Sequence, residues 1–241
     1  MINFEQYLLE RKGSIAGQQP KRKVNIEQLK EMIANKDPKM ADVDVSEIAD
    51  MSELFQDSDF GGSWTADLSE WDISKVEDVR WMFAGCKKLK EVSLPITRNV
   101  KYMFGMFQGC TSLKEVRLHH TENVVNMQHM FKGCTKLTKV ELPHTENVRD
   151  MGGMFWVCAS LKEVSLPNTG NVTNMESMFY GCEKLIKVEL SSIENVVDMS
   201  SMFKDCENLE QDFTSWDVRG IVRESMFLGT KVTKFPEGYE Q

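Results

Sequence analysis

The six cysteines of this 241-residue chain follow one another at intervals of 24 residues. They are Cys86, Cys110, Cys134, Cys158, Cys182 and Cys206. A Met-Phe pair precedes each cysteine, and Leu and Asn-Val positions keep the same interval, so the unit reads NVxxMxxMFxGCxxLxxVxLPxTx. A fixed interval of this length predicts a repeat architecture, in which each unit packs on its neighbours.

The two halves of the unit have different periods. The apolar residues of the first half are Val100, Met103, Met106, Phe107 and Cys110. Their spacing of 3, 3, 1 and 3 predicts a short helix, with Asn99 as its cap and Gly109 as its left-handed end. In the second half Val116 and Leu118 alternate with polar residues, which predicts a strand.

Proline follows the strand in several repeats, at Pro95, Pro143 and Pro167, and ends it. One strand and one or two helical turns per 24 residues predict an α/β leucine-rich repeat solenoid. Its parallel sheet lies on one face and its short helices on the other.

The repeat resembles the BspA-like leucine-rich repeat family of bacteria and their viruses. Two stretches carry the resemblance most closely: DLSEWDISKVEDVRWMF at residues 67–83 and QDFTSWDV at residues 211–218. A degenerate first copy begins at Asp44. The resemblance covers residues 42–230 and implies a right-handed solenoid of about eight repeats that presents a surface to other macromolecules.

Three segments follow from these boundaries. Residues 1–41 hold a short helix at 2–10, a basic linker at 11–23 and a second helix from Val24 to Ile33, with Asn25 as N-cap, that forms the N-terminal cap. Residues 42–230 form the solenoid, and residues 231–241 a C-terminal tail. The first 40 residues carry eight Lys/Arg and five Asp/Glu, whereas the remainder carries 21 and 32.

Composition excludes several classes of function. A net charge of −8 argues against nucleic-acid binding, which needs a concentrated basic surface. The apolar runs are too short to span a membrane. Glu5 and Glu10 stand where a secretion signal has a basic start and an apolar stretch, so we expect a cytoplasmic protein. We also expect no cofactor.

The cysteines allow two interpretations. Six of them in a short chain are compatible with a disulfide framework. One cysteine per repeat at the same place, however, predicts parallel side chains, whose Cβ directions do not suit a disulfide. We therefore predict six free thiols in the core. No CxxC or Cys-His pair has the spacing of a zinc site.

Candidate binding residues lie on both faces. The strand side chains form two columns on the concave face, which are Ser93, Arg117, Glu141, Ser165 and Glu189, and Glu91, Glu115, Lys139, Glu163 and Lys187. Such columns commonly bind partners, although mixed charges also serve solubility. His119, His120 and His144 form a second candidate at the strand ends, either as a metal or pH-sensing cluster or as a solvated edge.

Residues 151–158, MGGMFWVC, depart from the repeat pattern. Gly152 and Gly153 weaken the predicted helix, and Val157 replaces its terminal glycine. Trp156 and Tyr180, one repeat apart, form an exposed aromatic pair typical of an interface. In the alternative interpretation, Trp156 folds over the space that the glycines leave.

The sequence holds no GxxxxGK[ST], GxSxG or HExxH motif. We therefore predict a non-catalytic intracellular protein-binding module, an adaptor or a virus-encoded inhibitor of a host protein. Its acidic body favours a partner with a basic surface. A surface adhesin, and a metal or enzymatic role at the His119, His120 and His144 edge, are the alternatives.

Overall fold

The computed structural model describes residues 20–62, 68–92, 94 and 97–239. The predicted helix at 2–10 and most of the basic linker lie outside these residues, as do Ser93 and Pro95. Nowhere in the described residues does a helix reach the length and hydropathy needed to cross a membrane.

The described chain begins with a short strand and the helix predicted from the sequence. Strand β1 is Arg22–Lys23, helix α1 is Ile26–Ala34, a 3-10 helix spans Pro38–Asp42, and strand β2 is Val43–Asp44. The Asn25 side chain accepts a hydrogen bond from the N–H of Gln28, and the Gln28 side chain accepts from the N–H of Asn25. This capping box fixes the start of α1. Leu29, Met32 and Ile33 of α1 join the hydrophobic core.

The strand half of the repeat is confirmed. Strands β3 (Glu115–Arg117), β4 (Lys139–Glu141), β5 (Glu163–Leu166) and β6 (Lys187–Leu190) recur one repeat apart. Strand β3 pairs in parallel with β4, and β5 with β6, in register over the same repeat positions. Both β4 and β5 end before the prolines that follow them, Pro143 and Pro167.

The helix half of the repeat was predicted wrongly. Residues 103–110, which we call a turn segment together with their equivalents in the other repeats, are tight turns and not a helix. A helix would close its N–H groups onto carbonyls within the same segment. Here only alternate N–H groups do so, as from Met106 to the Met103 carbonyl at 3.2 Å.

The other N–H groups of the turn segment donate to the next repeat, in what we call the forward ladder. In one repeat the donors are Met103, Gly105, Phe107 and Gly109, and the acceptors are the carbonyls of Asn126, Gln128, Met130 and Lys132, at 2.7–3.1 Å. The same pattern runs without a break from the turn segment at Met51 to the one at Met226. The backbone thus bonds forward from repeat to repeat.

This arrangement requires two residues with left-handed backbone in each turn segment. Gly105 (φ 59°) and Gly109 (φ 73°) supply them in one repeat. The Gly109 prediction is therefore correct in conformation, although the residue ends no helix. Glycine adopts this conformation without steric cost, whereas other residues do so at a cost of about 1–2 kcal/mol.

The phenylalanines of the Met-Phe pairs form a continuous stack through the core. Their ring centroids lie 5.1–5.7 Å apart with interplanar angles of 2–13°. The stacked rings are Phe55, Phe83, Phe107, Phe131, Phe155, Phe179, Phe203 and Phe227. Methionines from the same turn segments are buried beside them.

Two side-chain ladders hold the repeats at their loops. The asparagine of the Asn-Val pair donates backward, as from the Asn123 amide to the Arg98 carbonyl at 2.7 Å. This asparagine was predicted to cap a helix, and instead it links two repeats. The buried threonine after the strand donates forward, as from Thr145 to the Asn168 carbonyl at 2.7 Å. Each ladder satisfies carbonyls that would otherwise lack a partner.

All six cysteines are free and buried, as predicted. Each thiol donates to the carbonyl of the core phenylalanine one repeat before, at 3.0–3.1 Å. Burial raises the pKa of Cys86 to about 11 and that of Cys134 and Cys206 to about 12. The thiolate, which is the reactive form, is thereby disfavoured.

We expect a thiol reagent such as Ellman's reagent to find six thiols per chain in denaturant without reductant. In the native state it should react with almost none, because the thiols are buried and protonated. Time-resolved absorbance with and without denaturant measures both values. A count below six in freshly purified protein would contradict the ladder of free thiols.

Val157 is a β-branched residue in the left-handed region, at φ 57°. Its equivalents one repeat before and after are Gly133 and Gly181, at φ 75° and 67°. We expect Val157→Gly to raise the free energy of unfolding by about 1 kcal/mol. The substitution relieves the backbone strain of the folded state, and this gain exceeds the cost of the extra conformational entropy that glycine loses on folding.

The matched control is Gly181→Val, which introduces the same strain one repeat later and should destabilise. Chemical denaturation of both variants measures the two changes. A Val157→Gly variant less stable than the parent would contradict the assigned backbone conformation.

Candidate functional site

The charged columns of β3 to β6, which we call the strand face, pair with one another. Arg117 lies between two carboxylates, with Nη2 3.4 Å from Oε2 of Glu115 and Nε 3.5 Å from Oε2 of Glu141. Lys139 Nζ is 2.7 Å from Oε1 of Glu141. The strand face therefore largely neutralises itself, as a solvated sheet does.

The same pairing recurs at Glu189, the last predicted residue of this face. Lys187 Nζ lies 2.7 Å from Oε1 of Glu189. The hydrogen bond from Lys187 lowers the pKa of Glu189, and that from Lys139 lowers the pKa of Glu141. A partner that uses these carboxylates must first replace their present lysine contacts.

The three predicted histidines lie at the loop edge beyond the strands. His119 and His144 are exposed and His120 is half-buried. Burial lowers the pKa of His120, with Arg98 adding to the effect. Nδ1 of His144 is 3.6 Å from Oε1 of Glu146. Among the described residues, no three His, Cys, Asp or Glu side chains assemble into a metal site.

On the turn side, five rings from successive repeats form a line that we call the aromatic row. Its members are Trp81, Phe104, His129, Trp156 and Tyr180. Neighbouring centroids are 4.8, 5.5, 6.1 and 5.2 Å apart in that order. All five rings are partly exposed, so the row contributes aromatic surface to solvent over five repeats.

Two glycines make room for this row. A Cβ on Gly105 would lie 2.7 Å from the Trp81 ring, and one on Gly153 would lie 2.3 Å from Nδ1 of His129. The ring from the preceding repeat thus occupies the space that a side chain would fill at each of these glycines. His129, rather than Trp156, fills the space above Gly153, and Trp156 lies beside it.

The predicted pair of Trp156 and Tyr180 is therefore the end of a longer row. Trp81, Phe104 and His129 were not predicted as site residues. Phe104 lies outside the pattern that identifies Trp81 and His129, which is the column of residues 24 apart that reads Trp81, Gly105, His129, Gly153. Large rings and glycines alternate in it.

Lysines lie over the last two rings of the row. Nζ of Lys132 is 4.1 Å from the Trp156 centroid, and Nζ of Lys204 is 5.6 Å from the Tyr180 centroid. A cation at this distance from an aromatic face is attracted to it. Burial lowers the pKa of His129, and Lys132 adds to the effect. The row is thus a mixed aromatic and cationic surface with a neutral histidine in its middle.

An open cleft of about 660 Å³ lies between the loops at residues 190–196 and 215–221. The threonine ladder stops at this point, because Ile193 occupies the position that Thr169 holds one repeat earlier. Trp216, Arg219 and Ser192 line the cleft. None of the site residues predicted from the sequence lies in it.

Comparison with known proteins identifies the repeat. Residues 24–141 and 135–237 match the family described as Mycoplasma protein of unknown function, DUF285. No curated protein matches the sequence.

Among solved structures, a leucine-rich repeat protein from Eubacterium ventriosum is similar, with a TM-score of 0.53 and 22% identity. The similarity covers 69% of this chain and 44% of that one, so this chain spans less than half of its length. A second solved structure is a leucine-rich repeat protein from T. pallidum, with 29% identity and a TM-score of 0.30. This match covers 42% of this chain and 56% of the T. pallidum chain. The similarity to the Eubacterium ventriosum protein shows that the fold is of the leucine-rich repeat type.

The lowered pKa of His129 predicts a pH dependence of stability. In the unfolded chain the imidazole has its ordinary pKa of 6.5, whereas the folded chain binds the proton less well. The contribution of His129 to the free energy of unfolding is complete above pH 6.5. It decreases as the pH falls from 6.5 to the lower pKa of the folded state. We expect His129→Phe to lose this part of the dependence.

Urea unfolding between about pH 7.5 and 5 measures the effect for the parent and the variant. The matched control is His119→Phe, which changes an exposed histidine outside the aromatic row and should leave the pH dependence as it is. Equal pH dependence in the parent and in His129→Phe would contradict the lowered pKa of the half-buried His129.

Proposed function

We propose that this chain, which belongs to the family described as Mycoplasma protein of unknown function, DUF285, is a non-catalytic protein-binding module. Repeat proteins of the leucine-rich type present extended surfaces built from several repeats. As part of the proposal, the solenoid is right-handed with about eight repeats, and α1 is its N-terminal cap. An adaptor and a virus-encoded inhibitor of a host protein are the forms that we consider.

The aromatic row carries the proposal. Binding energy in protein interfaces concentrates in a few residues, with Trp and Tyr enriched among them. Trp156 and Tyr180 lie in contact, partly exposed, and each has a lysine over its ring. Lys132 and Lys204 form no ion pair with a carboxylate among the described residues, so a carboxylate within an otherwise basic partner surface can pair with them.

The strand face supports binding less well. Arg117, Lys139 and Glu141 already satisfy one another. Exposed ion pairs of this kind contribute little net energy, and they are screened by salt. We propose that Arg117, Glu141 and Glu189, and the loop-edge residues His119, His120 and His144, form the periphery of the interaction surface.

The overall charge of −8 favours a partner with a basic surface, because complementary charge speeds the encounter. Long-range attraction of this kind acts on the approach, whereas the close contact forms at the rings. The two contributions are separable, since salt weakens the first more than the second.

The test is a selection of peptide ligands from a random display library on the immobilised chain, followed by affinity measurements on variants. We expect Trp156→Ala to weaken binding by about 2 kcal/mol or more, which is about 30-fold. Isothermal titration calorimetry measures the loss, and circular dichroism shows that the variant is folded.

Two controls accompany it. Tyr102→Ala removes an exposed aromatic ring outside the aromatic row, and Glu141→Lys reverses a charge on the strand face. Both should change the affinity much less than Trp156→Ala. If Glu141→Lys abolishes binding and Trp156→Ala leaves it intact, the strand face is the binding surface and the assignment to the aromatic row is wrong.

A further inference from the structure

The forward ladder has a direction, and its two ends differ. In every turn segment the N–H groups of the forward ladder point to the following repeat, and the accepting carbonyls point back. The last turn segment therefore has donors without a following repeat, and the first has acceptors without a preceding one. Oriented rows of backbone dipoles of this kind attract groups of opposite polarity.

At the C-terminal end, four backbone N–H groups have no acceptor among the described residues. They belong to Arg223, Ser225, Phe227 and Gly229. We call this row the donor edge. The large apolar side chains of Val222 and Leu228 flank the donor edge, and their exposed fractions are 48% and 54%.

At the N-terminal end, the corresponding carbonyls accept no hydrogen bond from the described residues. They belong to Asp50, Ser52, Leu54 and Gln56. We call this row the acceptor edge. The side chain of Gln56, which occupies the same repeat position as Leu228, is exposed.

We propose that the donor edge of one molecule binds the acceptor edge of a second copy of this chain, head to tail. The register follows from the forward ladder: the N–H groups of Ser225, Phe227 and Gly229 meet the carbonyls of Ser52, Leu54 and Gln56. The copies continue the ladder with the same geometry that joins repeats within one chain. Leu228 then lies beside Gln56 of the next copy and is removed from water.

The ends of the core are covered, whereas Ser225 and Gly229 of the donor edge and Gln56 of the acceptor edge are exposed. Phe235 and Tyr239 of the C-terminal tail pack on Phe227, with centroids 5.6 and 5.1 Å away. At the other end Leu29 and its neighbours in α1 join the core. The contact is therefore limited to the turn edges, and an interface of that size is weak and concentration-dependent.

Each added copy continues the ladder and leaves one donor edge and one acceptor edge free, so the product is an open series of oligomers rather than a single dimer. The proposal is independent of the aromatic row, which lies along the side of the solenoid and not at its ends. A variant at Trp156 should therefore associate as the parent does.

The test is sedimentation velocity of the whole chain at concentrations up to about 1 mM. We expect the average mass to rise with concentration. Leu228→Glu should lower the association at least tenfold, because it places a charge against the next copy. The matched control is Ile186→Glu, which changes a side chain of similar exposure, 48%, away from both edges and should associate normally.

A mixing experiment tests the direction. Leu228→Glu keeps the acceptor edge intact, and Gln56→Glu keeps the donor edge intact, so each alone should remain monomeric. Mixed together they should form a one-to-one complex. A parent chain that stays monomeric throughout, or a loss of association shared equally by Leu228→Glu and Ile186→Glu, overturns the proposal.

Discussion

The hydrogen bonds of the forward ladder are the interaction on which the rest of the structure depends. They use every second N–H group of the turn segment, and the remaining N–H groups close turns within it. Since buried backbone groups must find partners, this division satisfies the backbone without a helix. It also fixes the length of the turn segment, because one residue inserted there would exchange the two sets of N–H groups. The interval between repeats can differ outside it, since Asp50 and Asp78 pair although they are 28 residues apart.

The same ladder sets what each side chain of the turn segment does. Left-handed backbone recurs four residues apart, at Gly105 and Gly109, and the side chains between these two positions divide between core and surface. Met106 and Phe107 are buried, whereas Gln108 is half-buried. Thiols complete the core: Cys134 reaches the carbonyl of Phe107 and links the side-chain stack to the backbone of the preceding repeat.

The repeat interval, the strands and the buried free cysteines were predictable because each is a direct property of spacing. Val116 and Leu118 alternate as strand residues do, and no other element has that period. The helix was not separable from a turn, since apolar residues at Val100, Met103, Met106 and Phe107 suit the inner side of either. The distinction lies in Gly105, whose left-handed backbone a helix excludes and the forward ladder requires.

The candidate site was predictable only at Trp156 and Tyr180, where the large rings are conspicuous in sequence. Trp81 and His129 occupy the same repeat position, and each ring lies over a glycine of the following repeat, Gly105 or Gly153. The Phe104 ring comes from a different repeat position and contacts both.

Trp81 and His129 themselves have left-handed backbone, at φ 52° and 56°, as Ser177 and Ser201 do in later repeats. Left-handed backbone is therefore a requirement of the ladder at every repeat and not a mark of the site. What distinguishes the site is the identity of the side chains in that column. In that column a ring occurs only where the next repeat supplies a glycine, as for Trp81 and His129, so backbone geometry and surface chemistry are set there by the same pair of positions.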